Sequence, residues 1–188
     1  MVSINQYKVL IFDCDGVILN SNKTKTEAFR ECTIHYGAEI TNEFIKYHKE
    51  KGGISRQKKF EYFLKVLGPK YNISISETVD TLCNKFAKIL KHRLLSCDLA
   101  PHLNELQNIN PDSDWLVVSG GNQLELEKIF KERKINHYFK KGIYGNPRDK
   151  YQIISDLKKD KTKLSNVLFI GDSKYDYEVA SFFKFDFI

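Results

Sequence analysis

The chain has 188 residues, 41% of them hydrophobic and 13% aromatic, with a formal charge of +6 and a pI near 9.0. That is enough apolar material for one large domain, or for a core carrying an inserted module, and it excludes an intrinsically disordered chain. It also excludes a helical membrane span, since no apolar run approaches the roughly 20 residues a span needs.

The N-terminal segment runs straight into a short apolar stretch, residues 7–12, whose lack of alternation predicts a buried parallel strand. No charged leader precedes it, so a cytoplasmic location is expected. Asp13 and Asp15 stand where that strand should end, with Cys14 between them and Gly16 after. Two like charges so close repel each other, and burial raises the cost. A single aspartate at a strand end usually caps a turn; a pair calls for something that compensates both.

From residue 23 to 97 the texture is helical, with helices predicted over 24–36, 42–51, 55–67 and 76–95. In the third of these Phe60, Phe63, Leu64 and Leu67 share one face. Gly68-Pro69 predicts a break, and Ser76 a new helix start. Gly52-Gly53-Ile54-Ser55-Arg56 reads in two ways. It is either a loop in which Gly53 and Arg56 meet the substrate, arginine gripping an anionic or hydroxylated group, or a plain helix–helix turn.

Strand and helix then alternate: helix 101–108, strand 115–118, helix 123–134, a short strand near Ile143, helix 150–158, strand 167–170, helix 176–183 and a final strand 185–188. The pattern predicts an α/β fold, a Rossmann-like doubly wound parallel sheet, with residues 1–19 and 98–188 as the core and 20–97 as an all-helical insertion. The chain stops just inside that last strand, and a little further sequence is expected beyond Ile188.

Ligands of such sheets sit beyond the carboxyl ends of the strands. Asp13, Asp15 and Gly16 follow the first strand and Ser119, Gly120 and Gly121 the second. Asn146, Pro147 and Lys150 follow the third, and Gly171, Asp172, Ser173 and Asp176 the fourth. Acids, a hydroxyl, glycines and a lysine at one edge suit a phosphate ester with Mg²⁺. In that reading Asp13 is nucleophile and metal ligand, while Asp15 lends its backbone carbonyl to the metal and its side chain as acid–base. The acid role calls for a raised pKa, which a crowded pair of carboxylates can supply. Gly16, the Ser119 hydroxyl and the Gly120 N–H, the last expected at a helix start, would bind phosphate. Lys150 would balance charge, Asp172 would complete the metal's ligands, and Asp176 would steady them.

DCDGV at 13–17, SGG at 119–121, Lys150 and GDSKYD at 171–176 resemble, in order, the motifs of the haloacid dehalogenase-like hydrolase superfamily. The resemblance covers essentially the whole chain. It implies a Rossmann-like core, Mg²⁺, an aspartyl-phosphate mechanism with the roles just given, and, for 20–97, the family's helical type of cap. Asp15 is similar to the aspartate of the phosphatase and phosphomutase branches, which the dehalogenases and ATP-driven pumps lack. The third motif commonly has lysine just before a proline, whereas here Pro147 precedes Lys150; Lys140 and Lys141 are the substitutes for the same role. The expected activity is hydrolysis of a small phosphorylated metabolite, a sugar phosphate or phosphoglycolate-like ester; the alternative is a phosphomutase. A receiver-type signalling module is disfavoured by the order of the motifs.

The four cysteines and five histidines are scattered without metal-binding spacing. Reduced thiols are therefore expected, as are structural or surface histidines. Lysines such as Lys158, Lys159, Lys161 and Lys163 read as a solvated face. No nucleic-acid partner and no membrane are expected. The sequence leaves the oligomeric state open.

Overall fold

The computed structural model describes residues 4–159 and 164–188. Lys161 and Lys163, expected on a solvated face, lie outside the described residues; Lys158 and Lys159 are exposed. A five-stranded, fully parallel sheet has the order β3-β2-β1-β4-β5, built from β1 (Val9–Phe12), β2 (Asp114–Asn122), β3 (Ile143–Asn146), β4 (Val167–Ile170) and β5 (Asp186–Phe187). The central strand is buried on both faces, which is why VLIF shows no alternation. Leu10 and Phe12 join Trp115, Val117 and Leu168 on one face, and Val9 and Ile11 join Leu116, Val118 and Phe169 on the other. Helices α8 (Lys150–Lys159) and α9 (Lys174–Phe183) cover the second face through Ile153, Ile154, Val179 and Ala180.

Between β1 and β2 the chain forms helices only: α1 (Asn22–Thr33), α2 (Ala38–Glu50), α3 (Arg56–Tyr62), α4 (Gly68–Lys70) and α5 (Val79–Ser96), then α6 (Leu103–Ile109). Phe29, Phe44, Phe60, Phe63 and Phe86 fill this insertion, and their cluster is continuous with the first face of the sheet. Ring centroids 4.2–6.2 Å apart bind Phe29, Phe44, Phe60 and Phe86 together.

Boundaries shift where a side chain caps better than the expected residue. Helix α5 begins after Thr78, whose hydroxyl accepts from the Thr81 N–H at 3.1 Å, and not at Ser76. Gly68-Pro69 does not break the chain's helical path: a π turn over Phe63–Leu67 runs directly into α4, with proline in the first turn, where its missing N–H costs nothing. Strand β2 extends to Asn122 and takes in Ser119, Gly120 and Gly121, and α7 (Gln123–Glu132) starts only where the Asn122 side chain accepts from the Glu125 N–H at 3.1 Å. Gly120 is therefore the extended end of a strand, not a helix start, and Ser119 caps no helix. No helix among the described residues is long and apolar enough to cross a membrane.

Candidate active site

Register decides what meets at the sheet's carboxyl edge. Phe12 is level with Val117 of β2 and Ile170 of β4, so Asp13 emerges beside Gly171, and its N–H donates to the Ile170 carbonyl at 2.9 Å. β1 lies where strand order reverses, the position at which sheets of this kind open a crevice.

Lys150, the first residue of α8, is 1% exposed and sends its ammonium between two acids. It donates to Asp13 Oδ1 at 2.7 Å and to Asp176 Oδ1. Burial works against the lysine's charge, yet the two carboxylates hold its pKa above the ordinary value. For Asp13, burial is the leading influence and lifts the carboxyl to about 7; Lys150 pulls the other way, and Asp176 and Asp15 push it higher. Lys141 instead pairs with Asp114 at 3.2 Å, and Lys140 is exposed, so neither substitutes for Lys150.

Asp176 serves two ends at once. Its Oδ2 accepts from the Ser173 hydroxyl at 2.6 Å and the Ser173 N–H at 3.2 Å, closing a reciprocal cap on α9, while its Oδ1 faces Lys150. Asp13, Asp172 and Asp176 each offer a carboxylate oxygen, and these lie within 4.8 Å of one another. Three hard oxygen donors gathered so closely fit a hard dication such as Mg²⁺. The Asp15 side chain stands outside that group, bound instead to Lys25 and, at 2.6 Å, to the Ser21 hydroxyl.

That pairing corrects one expectation. Burial works to raise Asp15, but the Lys25 ammonium, helped by Ser21, outweighs it and holds the carboxyl below its ordinary value. Asp15 rests as a carboxylate, ready to accept a proton; donating one requires it to part from Lys25. Gly16 is a second correction. Its N–H is taken by the Leu19 carbonyl at 2.8 Å and so is not offered to a phosphate. The residue is needed for shape: φ is +78°, and a Cβ would fall 2.0 Å from Asp172 Oδ2. Ser119 is fully buried and its oxygen accepts from the Gly121 N–H at 3.0 Å, which leaves the hydroxyl proton to donate.

The helical insertion reaches the same edge. The Gly53 carbonyl lies so close to Gly120 that a Cβ there would sit 2.2 Å from it, and a Cβ on Gly53 would be 2.9 Å from both Ser173 Oγ and Tyr175. Arg56 is not the solvent-facing arginine of a plain turn: its side chain is largely buried, lies 5.3 Å over the Phe86 ring, and pairs with Glu125 of α7. Insertion and sheet thus enclose a cavity of about 720 Å³ whose walls include Asp13, Asp15, Asp172, Gly53, Arg56 and Gly120.

Sequence reasoning missed Asn22, Lys25, His48 and Lys59, all at this cavity. Asn22 donates to Asp172 Oδ2 at 2.7 Å. A signal existed: Asn22, Lys25, Thr26 and Phe29 recur at helical spacing on one face of α1, and Phe29 shows that the face points inward. Four histidines are exposed, in keeping with surface roles; His48 is the exception. All four cysteines are free thiols, Cys14 and Cys32 fully buried.

Residues 7–181 match the family model described as haloacid dehalogenase-like hydrolase. Among curated proteins no relative matches. Similar solved structures include a predicted phosphoglycolate phosphatase from Haemophilus somnus, with a TM-score of 0.73, 17% identity, and 98% of this chain and 85% of that one covered. A predicted phosphatase from Clostridium acetobutylicum gives 0.69 and 18%, covering 96% and 83%. The HAD-hydrolase YfnB of Bacillus subtilis, solved bound to magnesium, gives 0.68 and 18%, covering 96% and 87%. At these identities the structures speak for the fold.

Proposed function

Because the chain belongs to the haloacid dehalogenase-like hydrolase family, we propose that it hydrolyses a small phosphorylated metabolite, with Asp13 as nucleophile. The observation that carries this reading is the Asp13–Lys150–Asp176 bridge. A lysine 137 residues away in sequence is buried against the one carboxylate that must attack. A salt bridge this deep is a poor way to gain stability, so a functional reason for it is the better account.

In the proposed cycle Asp15 parts from Lys25 and takes up a proton from solvent; an Asp13 carboxylate oxygen attacks phosphorus, the ester P–O bond breaks, and the alcohol leaves with that proton. Water then attacks the aspartyl-phosphate, Asp15 takes the water's proton, and inorganic phosphate departs. The Ser119 hydroxyl donates to a phosphate oxygen, and Lys150 steadies the charge of Asp13 and the incoming dianion together. Asp13, Asp172 and Asp176 would hold Mg²⁺, which when bound offsets the phosphate's negative charge. The closely seated Gly53 loop, acting as the inner wall of a helical cap over 20–97, would keep bulk water from the acyl phosphate.

Asp13→Asn is nearly isosteric and removes the nucleophile. We expect it to keep the wild-type circular dichroism and to lose p-nitrophenyl phosphate turnover by at least about 10³-fold, in line with the loss of an essential group. Wild-type rates in that variant would end the proposal.

A further inference from the structure

Lys59 on α3 is the unexplained charge of this cavity. It is 5% exposed, lines the same cavity as Asp13 and Asp15, and has no carboxylate partner among the described residues. Among the described residues its amine meets His48 Nδ1, at 2.9 Å, and the Phe29 ring, at 5.5 Å.

The roles along this contact follow from its far end. The Thr26 hydroxyl donates to the Asn22 carbonyl at 2.8 Å, so at 3.1 Å it must accept from His48. The His48 proton therefore sits on Nε2, and Nδ1 is left as an acceptor for Lys59. Burial, reinforced by Lys59 and Lys25, lowers His48 to about 3, so the imidazole stays neutral and adds no countercharge. It fixes where the lysine points and leaves its remaining N–H groups to the cavity. Lys25 adds a second positive charge nearby but is already matched by Asp15. A buried, aimed amine with no carboxylate in contact costs free energy unless an anion arrives.

We propose that Lys59 receives a carboxylate on the non-reacting end of the substrate, so that the preferred esters are short phosphorylated hydroxy acids and not neutral sugar phosphates. Among the cations that line the cavity, Lys25 and Arg56 are paired and Lys23, Lys49 and Lys174 are exposed. Lys59 is the buried one left to a ligand, and one cation suits a monoanion better than a second phosphate dianion. The assignment rests on the reading that the Asp13 end of the cavity takes the phosphoryl group. A site built around such a contact discriminates steeply against the analogue that lacks it, because the buried amine is then left unpaired. Burial, then Lys25, brings Lys59 down to about 7, although Asp15 and Asp13 act at a distance in the opposite direction.

The test is calorimetric binding, with Mg²⁺, of phosphonoacetate against its uncharged amide, phosphonoacetamide. Wild type is expected to favour the carboxylate at least tenfold, and Lys59→Met to reduce the preference below threefold. Lys59→Gln, which keeps a polar head without charge, should behave alike and serves if the methionine variant folds poorly. Equal binding of the two probes by wild type, or a preference that survives both substitutions, overturns the assignment; so does tighter binding of a bisphosphonate. Wild-type turnover of p-nitrophenyl phosphate separates this from the reading beneath it. Turnover without carboxylate preference removes the Lys59 subsite alone. A Lys59-dependent preference without turnover removes the hydrolase mechanism and leaves the subsite.

Discussion

Two buried lysines, Lys150 behind Asp13 and Lys59 on the cavity wall, solve opposite problems. Lys150 is buried between two carboxylates, and its charge is the reason Asp13 and Asp176 can be buried at all. Lys59 is buried without one, and its charge is a standing cost to the fold. Its folded pKa of about 7 lies below the ordinary 10.5, so the penalty is fully present below about pH 7 and fades as pH rises towards 10.5, where the unfolded amine is also neutral. Lys59→Met is therefore expected to melt above wild type, by at least about 3 °C near pH 6, with the gap closing by about pH 10. Thermal melts of the pair across that range check it; a methionine variant less stable at every pH would show that the amine contributes structure instead. Asp15 makes the complementary point. The sequence showed two crowded acids and led to a raised pKa for the second. The residue that reverses this, Lys25, lies ten positions on in another element, and only helix α1 docking over the strand end brings it there.

At the scale of elements, the type of each segment was legible from its pattern, while its ends were decided by capping. The strand over 167–170 was read to the residue, because four apolar residues followed by glycine and aspartate leave little choice. The end of β2 was not, because Ser119, Gly120 and Gly121 carry no strand propensity and their extended course depends on neighbours. Those neighbours are β3, where Asn146 pairs with Asn122, and the insertion. Gly120→Ala would place a methyl group 2.2 Å from the Gly53 carbonyl and so must push the Gly52-Gly53 loop off the sheet edge. Displacing a wall of the site by about 1 Å should lower kcat/KM by about a hundredfold. Steady-state kinetics with p-nitrophenyl phosphate measure this, and near-normal rates would mean that the loop's seating does not matter to the chemistry. The loop's other anchor, Arg56 against Glu125, likewise joins α3 to α7 and was invisible as a pair across 69 positions.

At the scale of the whole molecule, the site exists because strand order reverses at β1. Asp13 leaves one strand, Asp172 and Asp176 follow its neighbour, and Lys150 begins the helix after β3. If these three acids bind Mg²⁺ in the folded state alone, the ion should raise the melting temperature. Linkage gives about 2–3 kcal/mol at a hundredfold excess over the Kd. Asp172→Asn should abolish most of that shift, read by thermal denaturation with and without the metal; an undiminished shift would place the ion elsewhere. By itself the sequence determined the class of fold, its parallel sheet, the helical block after the first strand, and the residues at strand ends where chemistry gathers. It could do so because buried strands, helix faces and strand-end acids are local patterns, written within a few residues of one another. Only the tertiary structure decided the partners: Lys25 on Asp15, Asn22 on Asp172, Arg56 on Glu125, and His48 aiming Lys59 into the cavity. Charge and desolvation act through space over a few ångströms, and distance along the chain carries almost no information about that separation.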